Sequence, residues 1–257
     1  MEVVEYDLII RGGIIVDGTG APPFKADIGI RNGLIVKIGD LSTSKADVLI
    51  DAKTLYVTPG FIDIHNHSDL SIFNVPTADN YVLQGVTTLV IGNCGASPAP
   101  ISDVNRELIK ELVWGVGDID VNISWETFSE YLDRLNDLRK SVNIAALVGH
   151  GALRSAVLGF DSVVANERDI KSMKELLIDA LNSGAFGMSL GLIYVPSMYA
   201  DRRELLELSK ILAKYNALLA VHMRDEALNL LDSVFEILSL AIESGVKVEI
   251  SHLKAVG

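Results

Sequence analysis

The sequence has few of the features that mark secreted, membrane or nucleic-acid-binding proteins. One cysteine in 257 residues excludes a disulfide within the chain. Lys and Arg total 22 against 34 Asp and Glu, and a net charge of −12 argues against a nucleic-acid or anionic-membrane surface. No apolar run reaches the ~18 residues of a membrane-spanning helix, and the amino terminus is acidic where a secretion signal is basic. These absences predict a cytoplasmic protein that acts on small molecules.

Apolar residues are abundant, and in the first part of the chain they are arranged in short runs. They make up 49% of the composition, which is typical of a globular protein with a large core. The early runs lie at 7–10, 13–16, 27–31, 34–38 and 48–51. Asn32-Gly33 predicts a type I′ hairpin, because that turn needs positive φ at both central residues. We predict a small, β-sandwich-like domain over residues 1–57.

From residue 58 onwards, short apolar runs alternate with helical patterns, as in βαβ units. Strands are predicted at 61–65, 87–92, 143–148, 185–190, 218–221 and 247–251. Helices are predicted at 104–114, 124–138 and 226–244, from Asn166 to Gly184, and from a capping box of Asp201 and Glu204 to Tyr215. Apolar strands that alternate with amphipathic helices predict an α/β fold with a parallel sheet. Six such units make most of a TIM-type (β/α)₈ barrel, which we place at residues 58–257.

The chemically informative residues fall at the ends of these predicted strands. They are His65, His67, Cys94, His150, His222 and His252. His65 and His67 are two residues apart, about 6.6 Å along a strand, so they face the same side of a sheet. Taken singly, each residue is more often part of a packed core. Four of the imidazoles and the thiol at one mouth of a barrel favour a metal site, and zinc accepts this mixture of nitrogen and sulfur.

The segments around these residues resemble a known family. The run Thr58-Pro59-Gly60-Phe61-Ile62-Asp63-Ile64-His65-Asn66-His67 resembles the first-strand signature of the amidohydrolase superfamily. Further matching segments are Gly92-Asn93-Cys94-Gly95, residues 149–154, residues 189–196, residues 222–226 and Ser251-His252-Leu253-Lys254. Together they resemble the N-acyl-D-amino-acid deacylases, or D-aminoacylases. The likeness covers almost all of the chain.

This resemblance implies a zinc-dependent hydrolase that cleaves the amide bond of N-acyl-D-amino acids. The implied ligands of a tightly bound zinc ion are Cys94, His222 and His252, and those of a second, weaker metal position are His65 and His67. The resemblance also implies that Lys254 faces the substrate carboxylate and that Tyr194 lines the acyl-amino-acid pocket. No metal role carries over to His150, for which a bond to a neighbouring loop and a substrate contact both remain open.

The family pattern extends beyond the six predicted strands. The resemblance implies two further strands and an aspartate at the end of the eighth, which acts as general acid/base. We therefore expect residues 1–257 alone to have little or no activity, and a second polypeptide or a homo-oligomer to close the open barrel.

Two alternative functions stay open at this point. One is a non-catalytic zinc-binding fragment or subunit. The other is a cyclic amidase of the hydantoinase or dihydroorotase type, which carries a carboxylated lysine on the fourth strand. The predicted fourth strand, residues 185–190, has no lysine, which disfavours this second alternative.

Overall fold

The computed structural model describes residues 5–113 and 121–256. They form two compact units, one ending at Gly60 and the other beginning at Phe61. The strands are β1 (Tyr6–Ile15), β2 (Phe24–Arg31), β3 (Leu34–Gly39), β4 (Ala46–Asp51), β5 (Tyr56–Val57), β6 (Phe61–Asp63), β7 (Val86–Ile91), β8 (Asn143–Gly149), β9 (Gly187–Gly191), β10 (Leu218–His222) and β11 (Lys247–Ile250). The helices are α1 (Ser71–Asn74), α2 (Asp79–Val82), α3 (Ile109–Val113), α4 (Phe128–Asp137), α5 (His150–Leu158), α6 (Glu167–Ser183), α7 (Arg202–Lys214) and α8 (Leu230–Ser244). None of these helices combines the length and apolar character that a membrane span requires.

The first unit is a five-stranded sheet with β1 at its centre. The strand order is β3-β2-β1-β4, and β5 also pairs with β1. The runs predicted at 7–10 and 13–16 are one strand, because an irregularity between Ile10 and Gly13 shifts the register without ending the pairing with β2. Asn32 and Gly33 have φ angles of 51° and 74°, and β2 and β3 pair antiparallel on either side of them. The predicted hairpin is therefore confirmed.

The second unit contains a six-stranded parallel sheet in the order β11-β10-β9-β8-β7-β6. Every neighbouring pair is parallel and consecutive in the chain. Helices connect most of these strands, so the predicted series of βα units is confirmed as six strands of an incomplete barrel. Among the described residues, β6 and β11 are the two edges of this sheet.

Helix α6 shows how the local sequence sets the elements of this unit. Asn166 caps its first turn in a capping box with Asp169, and Gly184 ends it with a φ of 114°. The predicted apolar face is buried at Ile170 and Met173. The start, the end and the packed face of this helix follow from nearby residues alone.

Several predicted boundaries are wrong, and side chains near the ends explain two of them. β6 ends at Asp63, whose Oδ1 accepts the amide of His65 at 3.2 Å and turns the chain out of the strand. Helix α8 begins at Leu230 rather than at residue 226, because Oδ1 of Asp225 accepts the amide of Ala227 at 2.6 Å. The helix predicted at 104–114 is reduced to α3, and residue 114 lies outside the described residues.

Candidate metal centre

The five predicted metal ligands lie together at the carboxyl ends of four strands. His65 and His67 follow β6, Cys94 follows β7, His222 ends β10 and His252 follows β11. Sγ of Cys94 lies 3.4 Å from Nε2 of His65, 3.5 Å from Nδ1 of His222 and 3.6 Å from Nε2 of His252. Two groups, each with ligand atoms within 4.8 Å of one another, share this thiol. One contains His65, His67 and Cys94, and the other contains Cys94, His222 and His252.

The spacing and the pairing of these atoms fit zinc. Tetrahedral zinc, with bonds of about 2.3 Å to sulfur and about 2.0–2.1 Å to nitrogen, sets its sulfur and nitrogen ligands about 3.5 Å apart. The distances from Sγ of Cys94 agree with this value. Nδ1 of His65 and Nε2 of His222 are buried without a hydrogen-bond partner among the described residues. A mixed set of nitrogen and sulfur donors at this spacing is suited to a borderline-soft cation.

Burial keeps the imidazoles of His65 and His222 neutral near pH 7. Burial, reinforced by the neighbouring histidines, lowers the pKa of His65 to about 4, and burial together with His252 lowers the pKa of His222 to about 4. A neutral imidazole keeps a lone pair for a metal. Burial, followed by the charge of Glu226, raises the pKa of Cys94 to about 12. A cation at Sγ would reverse this effect, because a coordinating thiol is deprotonated by the metal.

Close backbone contacts position the thiol. Gly92 has a φ of 78°, and a Cβ at this position would lie 1.9 Å from the carbonyl oxygen of Leu147. The hydroxyl of Ser189 on β9 donates to the carbonyl of Gly92 and so joins the two strand ends. Cys94 and His252 themselves have φ angles of 54° and 36°, which residues other than glycine rarely adopt. Unusual backbone angles of this kind cluster at functional sites.

Tyr194, one of the two predicted substrate-binding residues, lies beside the cluster. Its ring centroid is 4.8 Å from that of His222. Together with His67, Cys94 and Phe160, it lines a cavity of about 430 Å³. Tyr194 and two of the predicted ligands thus border the same space, which is large enough for a small molecule.

Lys254, the other predicted substrate-binding residue, is already paired. Its Nζ forms an ion pair with Glu226 and lies 3.4 Å from Nδ1 of His252. The side chain of Lys254 is half exposed. A substrate carboxylate that reached this ammonium would therefore compete with Glu226.

Glu226, to which the sequence analysis assigned no role, also belongs to this site. The structure puts it in the loop after β10, only 8% exposed. Its Oε1 lies 2.7 Å from Nδ1 of His252 and 4.0 Å from Nε2 of His222. Among the described residues no donor is aligned on this oxygen for a hydrogen bond, so the 2.7 Å contact is an ion-pair distance and not an aligned hydrogen bond. Burial favours protonation of this carboxyl, but the bond from Lys254 and the two imidazoles lower its pKa.

His150 lies in a different group, which we call the buried polar cluster: His150, Arg154, Ser197 and Glu204. All four are at most 2% exposed. Nδ1 of His150 lies 2.9 Å from Oγ of Ser197, and its Nε2 lies 2.8 Å from Oε1 of Glu204. NH1 of Arg154 donates to Oε2 of Glu204 at 2.6 Å. Of the two roles left open for His150, the structure shows the bond to a neighbouring loop, through Ser197.

The buried polar cluster also corrects the capping box predicted for α7. Asp201 accepts the amide of Glu204 at 2.8 Å, as expected. The return bond from Glu204 is missing, because its carboxylate points into the core toward Arg154 and His150. A full charge pair outcompetes a single bond to an exposed amide.

The chain matches known proteins along most of its length. Residues 48–240 match the model of a family described as the amidohydrolase family. The D-aminoacylase of Alcaligenes xylosoxydans xylosoxydans is 37% identical over 252 residues, which are 98% of this chain and 51% of that protein. The chain spans about half the length of the curated relatives it matches.

Two solved structures resemble this one closely. The N-acyl-D-glutamate deacylase of Bordetella bronchiseptica, complexed with zinc and a phosphonate that mimics the tetrahedral intermediate, is 36% identical with a TM-score of 0.89. That likeness covers 97% of this chain and 52% of the other. A D-aminoacylase with a binuclear metal center is 38% identical with a TM-score of 0.89, over 98% of this chain and 52% of the other.

Proposed function

Because the chain belongs to the amidohydrolase family, we propose that it is part of a zinc-dependent hydrolase of linear amides whose substrates are N-acyl-D-amino acids. The observation that carries this proposal is the convergence of Cys94, His222 and His252, with nitrogens 3.5 and 3.6 Å from the thiol. The similar deacylase solved with zinc supports the choice of metal. The names of the relatives, D-aminoacylase and N-acyl-D-glutamate deacylase, support the substrate class.

The two groups that share the thiol support two metal positions. Cys94, His222 and His252 would hold the tightly bound zinc, and His65 and His67 would contribute to a second, weaker position. Zinc bound there would supply Lewis acidity, which polarises the scissile carbonyl and makes water a better nucleophile near neutral pH. Since a thiolate ligand has to stay reduced, we place the protein in the cytoplasm.

Tyr194 and Lys254 would bind the substrate. The ring of Tyr194 would pack against the acyl-amino acid in the cavity, and Nζ of Lys254 would meet the free carboxylate after releasing Glu226. Truncating one partner of such a charge pair costs on the order of 2 kcal/mol or more.

Lys254→Met tests this role directly. In an active assembly, it should raise KM for N-acyl-D-amino acids about 30-fold, the equivalent of about 2 kcal/mol, while sparing the corresponding amides, which lack the carboxylate. A variant that keeps the wild-type preference for the free acid would rule this role out. Lys174→Met is the matched control, because it removes a lysine of α6 that pairs with Glu207 of α7.

We assign the proton carrier to a polypeptide segment that completes the barrel. Expelling an amine requires a proton at nitrogen, and Glu226 is engaged by Lys254 and His252. β6 is an edge strand among the described residues, and Phe61 and Ile62 on it are 55% and 61% exposed. A further segment, a second polypeptide or a homo-oligomer would cover this edge.

Turnover decides the proposal. The chain should hydrolyse N-acetyl-D-methionine only slowly on its own and much faster once a polypeptide with two further βα units and a strand-end aspartate is added. This increase in the rate of hydrolysis should require zinc and should be absent with N-acetyl-L-methionine as the substrate. Turnover typical of enzymes by the isolated chain would contradict the assignment of the proton carrier. No turnover in either state, with zinc bound, would favour a non-catalytic zinc-binding subunit.

A further inference from the structure

Glu226 lies between the proposed metal ligands and the proposed substrate-binding lysine. Its Oε1 is 2.7 Å from Nδ1 of His252, and its Oε2 contacts Nζ of Lys254. Its side chain is 9% exposed, so this carboxylate is stabilised by partners and not by water. A buried charge that contacts both functional groups is expected to fix their positions.

His252 faces a different group through each of its ring nitrogens. Nε2 lies 3.6 Å from Sγ of Cys94, and Nδ1 lies 2.7 Å from Oε1 of Glu226. A histidine that binds a metal through one nitrogen almost always donates the N–H of the other to a carboxylate, carbonyl or water, which fixes its tautomer and ring orientation. Since Oε1 of Glu226 has no aligned donor in the part of the chain that the structure describes, it can accept this N–H after a small rotation of the ring.

The main chain around His252 has an unusual conformation and is joined to the loop of Glu226. His252 has a φ of 36°, and it follows the last residues of β11, the edge strand. The amide of Val256 donates to the carbonyl of Glu226 at 2.7 Å, so the two loops are joined by the main chain as well. This bond does not depend on the carboxylate, so a change of the Glu226 side chain should leave the loops in place.

We propose that Glu226 is a positioning residue of the metal centre. Its Oε1 holds the imidazole of His252 with Nε2 toward the shared thiol, and its Oε2 holds Lys254 at the same edge of the site. The inference rests on the proposed zinc site, and it adds a residue that acts through His252 without binding the metal.

Zinc affinity tests this inference without any need for turnover. Competition with a chromophoric chelator should show zinc binding to Glu226→Gln about 10-fold to 100-fold weaker than to the wild type, the usual cost of losing such a partner. The absorption bands of the cobalt-substituted protein should also shift, since the ring orientation of a ligand changes. Equal melting temperatures of the two proteins in EDTA would show that the fold is intact.

Glu249→Gln is the matched control. Glu249 on β11 also acts on the thiol of Cys94 through its charge, but its carboxylate accepts from Oγ of Ser251 at 2.8 Å. This variant should bind zinc as the wild type does. An equal loss of zinc affinity in Glu226→Gln and Glu249→Gln would mean that only the charge near the site matters, and it would overturn the inference. Wild-type zinc affinity in Glu226→Gln would overturn it as well. A wild type that binds no zinc would overturn the proposed function as well.

Discussion

The metal cluster and the buried polar cluster both gather histidines and charged groups, but they differ in how their polar atoms are paired. In the buried polar cluster, both nitrogens of His150 and both oxygens of Glu204 have partners at 2.6 to 2.9 Å. In the metal cluster, Nδ1 of His65 and Nε2 of His222 have none among the described residues. Three imidazoles instead surround one thiol.

This difference separates a structural role from a binding role. An unpaired buried donor or acceptor costs about 1–3 kcal/mol of stability. Several of them in one place therefore indicate a functional site. The buried polar cluster is complete without a ligand and joins α5, α7 and the loop after β9. The metal cluster instead turns Nε2 of His65, Nδ1 of His222 and Nε2 of His252 toward one thiol, an arrangement that a cation would complete. Substitutions in the buried polar cluster should therefore lower the stability of the metal-free chain. Substitutions in the metal cluster should chiefly lower the stabilisation that zinc provides.

The largest effect is expected from Glu204→Ala in the buried polar cluster. It leaves the guanidinium of Arg154 buried without its carboxylate, which costs about 3–5 kcal/mol of the free energy of unfolding. Urea denaturation in EDTA measures this loss. Glu207→Ala, in the same helix but paired with Lys174 at one-third exposure, should cost about 0–1 kcal/mol. Equal, small losses of the free energy of unfolding in both variants would contradict the structural role of the buried polar cluster.

A smaller effect, which appears chiefly when zinc is present, is expected from His222→Gln in the metal cluster. The metal-free variant should differ from the wild type by about 1 kcal/mol or less, because the polar contact that is lost, from Nδ1 to the thiol at 3.5 Å, is a weak one. Zinc at 100 times its dissociation constant should stabilise the wild type by about 2.7 kcal/mol and the variant by much less. Thermal denaturation with zinc and with EDTA compares the two. A variant that zinc stabilises as much as the wild type would exclude His222 as a ligand.

The smallest effect is a difference in pH dependence. His65 and His222 have a pKa of about 4 in the folded chain, lowered from 6.5 chiefly by burial. Between these values the unfolded chain binds protons at these two residues that the folded chain does not, so their contribution to stability is full above pH 6.5 and is lost as the pH drops toward 4. Asp69, whose pKa burial raises to about 7, contributes in the opposite direction. The pKa of Glu204 is held below 4.5 by His150 and Arg154, against the opposing effect of burial. The contribution of the Glu204 carboxylate to stability should be lost only at a pH below that of the two histidines.

Unfolding in EDTA across this pH range separates the two windows. Replacing His65 and His222 together by Gln should reduce the loss of stability between pH 6.5 and 4, to which His67 also contributes, and leave the loss below 4.5 in place. A double variant that retains the full wild-type loss between pH 6.5 and 4 would contradict the assignment of that window to these two histidines.

The sequence predicted the members of the metal cluster because the carboxyl ends of parallel strands meet at one edge of a sheet. This topology brings His222 and His252 together even though β10 ends one residue later, and β11 one residue earlier, than predicted. An error of one residue at a strand end does not move a strand to another place in the sheet.

The sequence did not reveal the roles of Glu204 and Glu226, because their partners are distant in the chain. The local pattern at Asp201 indicated a capping box, but the carboxylate of Glu204 pairs with Arg154, 50 residues away. Glu226 meets Lys254, 28 residues later, only after Asp225 has delayed the start of α8. Long-range charge pairs override local propensity, and no short motif encodes them.

Zinc content tests the central claim most directly. Elemental analysis of the purified chain should find about one tightly held zinc per chain, since a thiolate and two imidazoles form a strong three-ligand set. Cys94→Ala removes the ligand that both groups share and should lose most of this zinc. The same zinc content in the wild type and in Cys94→Ala would contradict the metal centre proposed here.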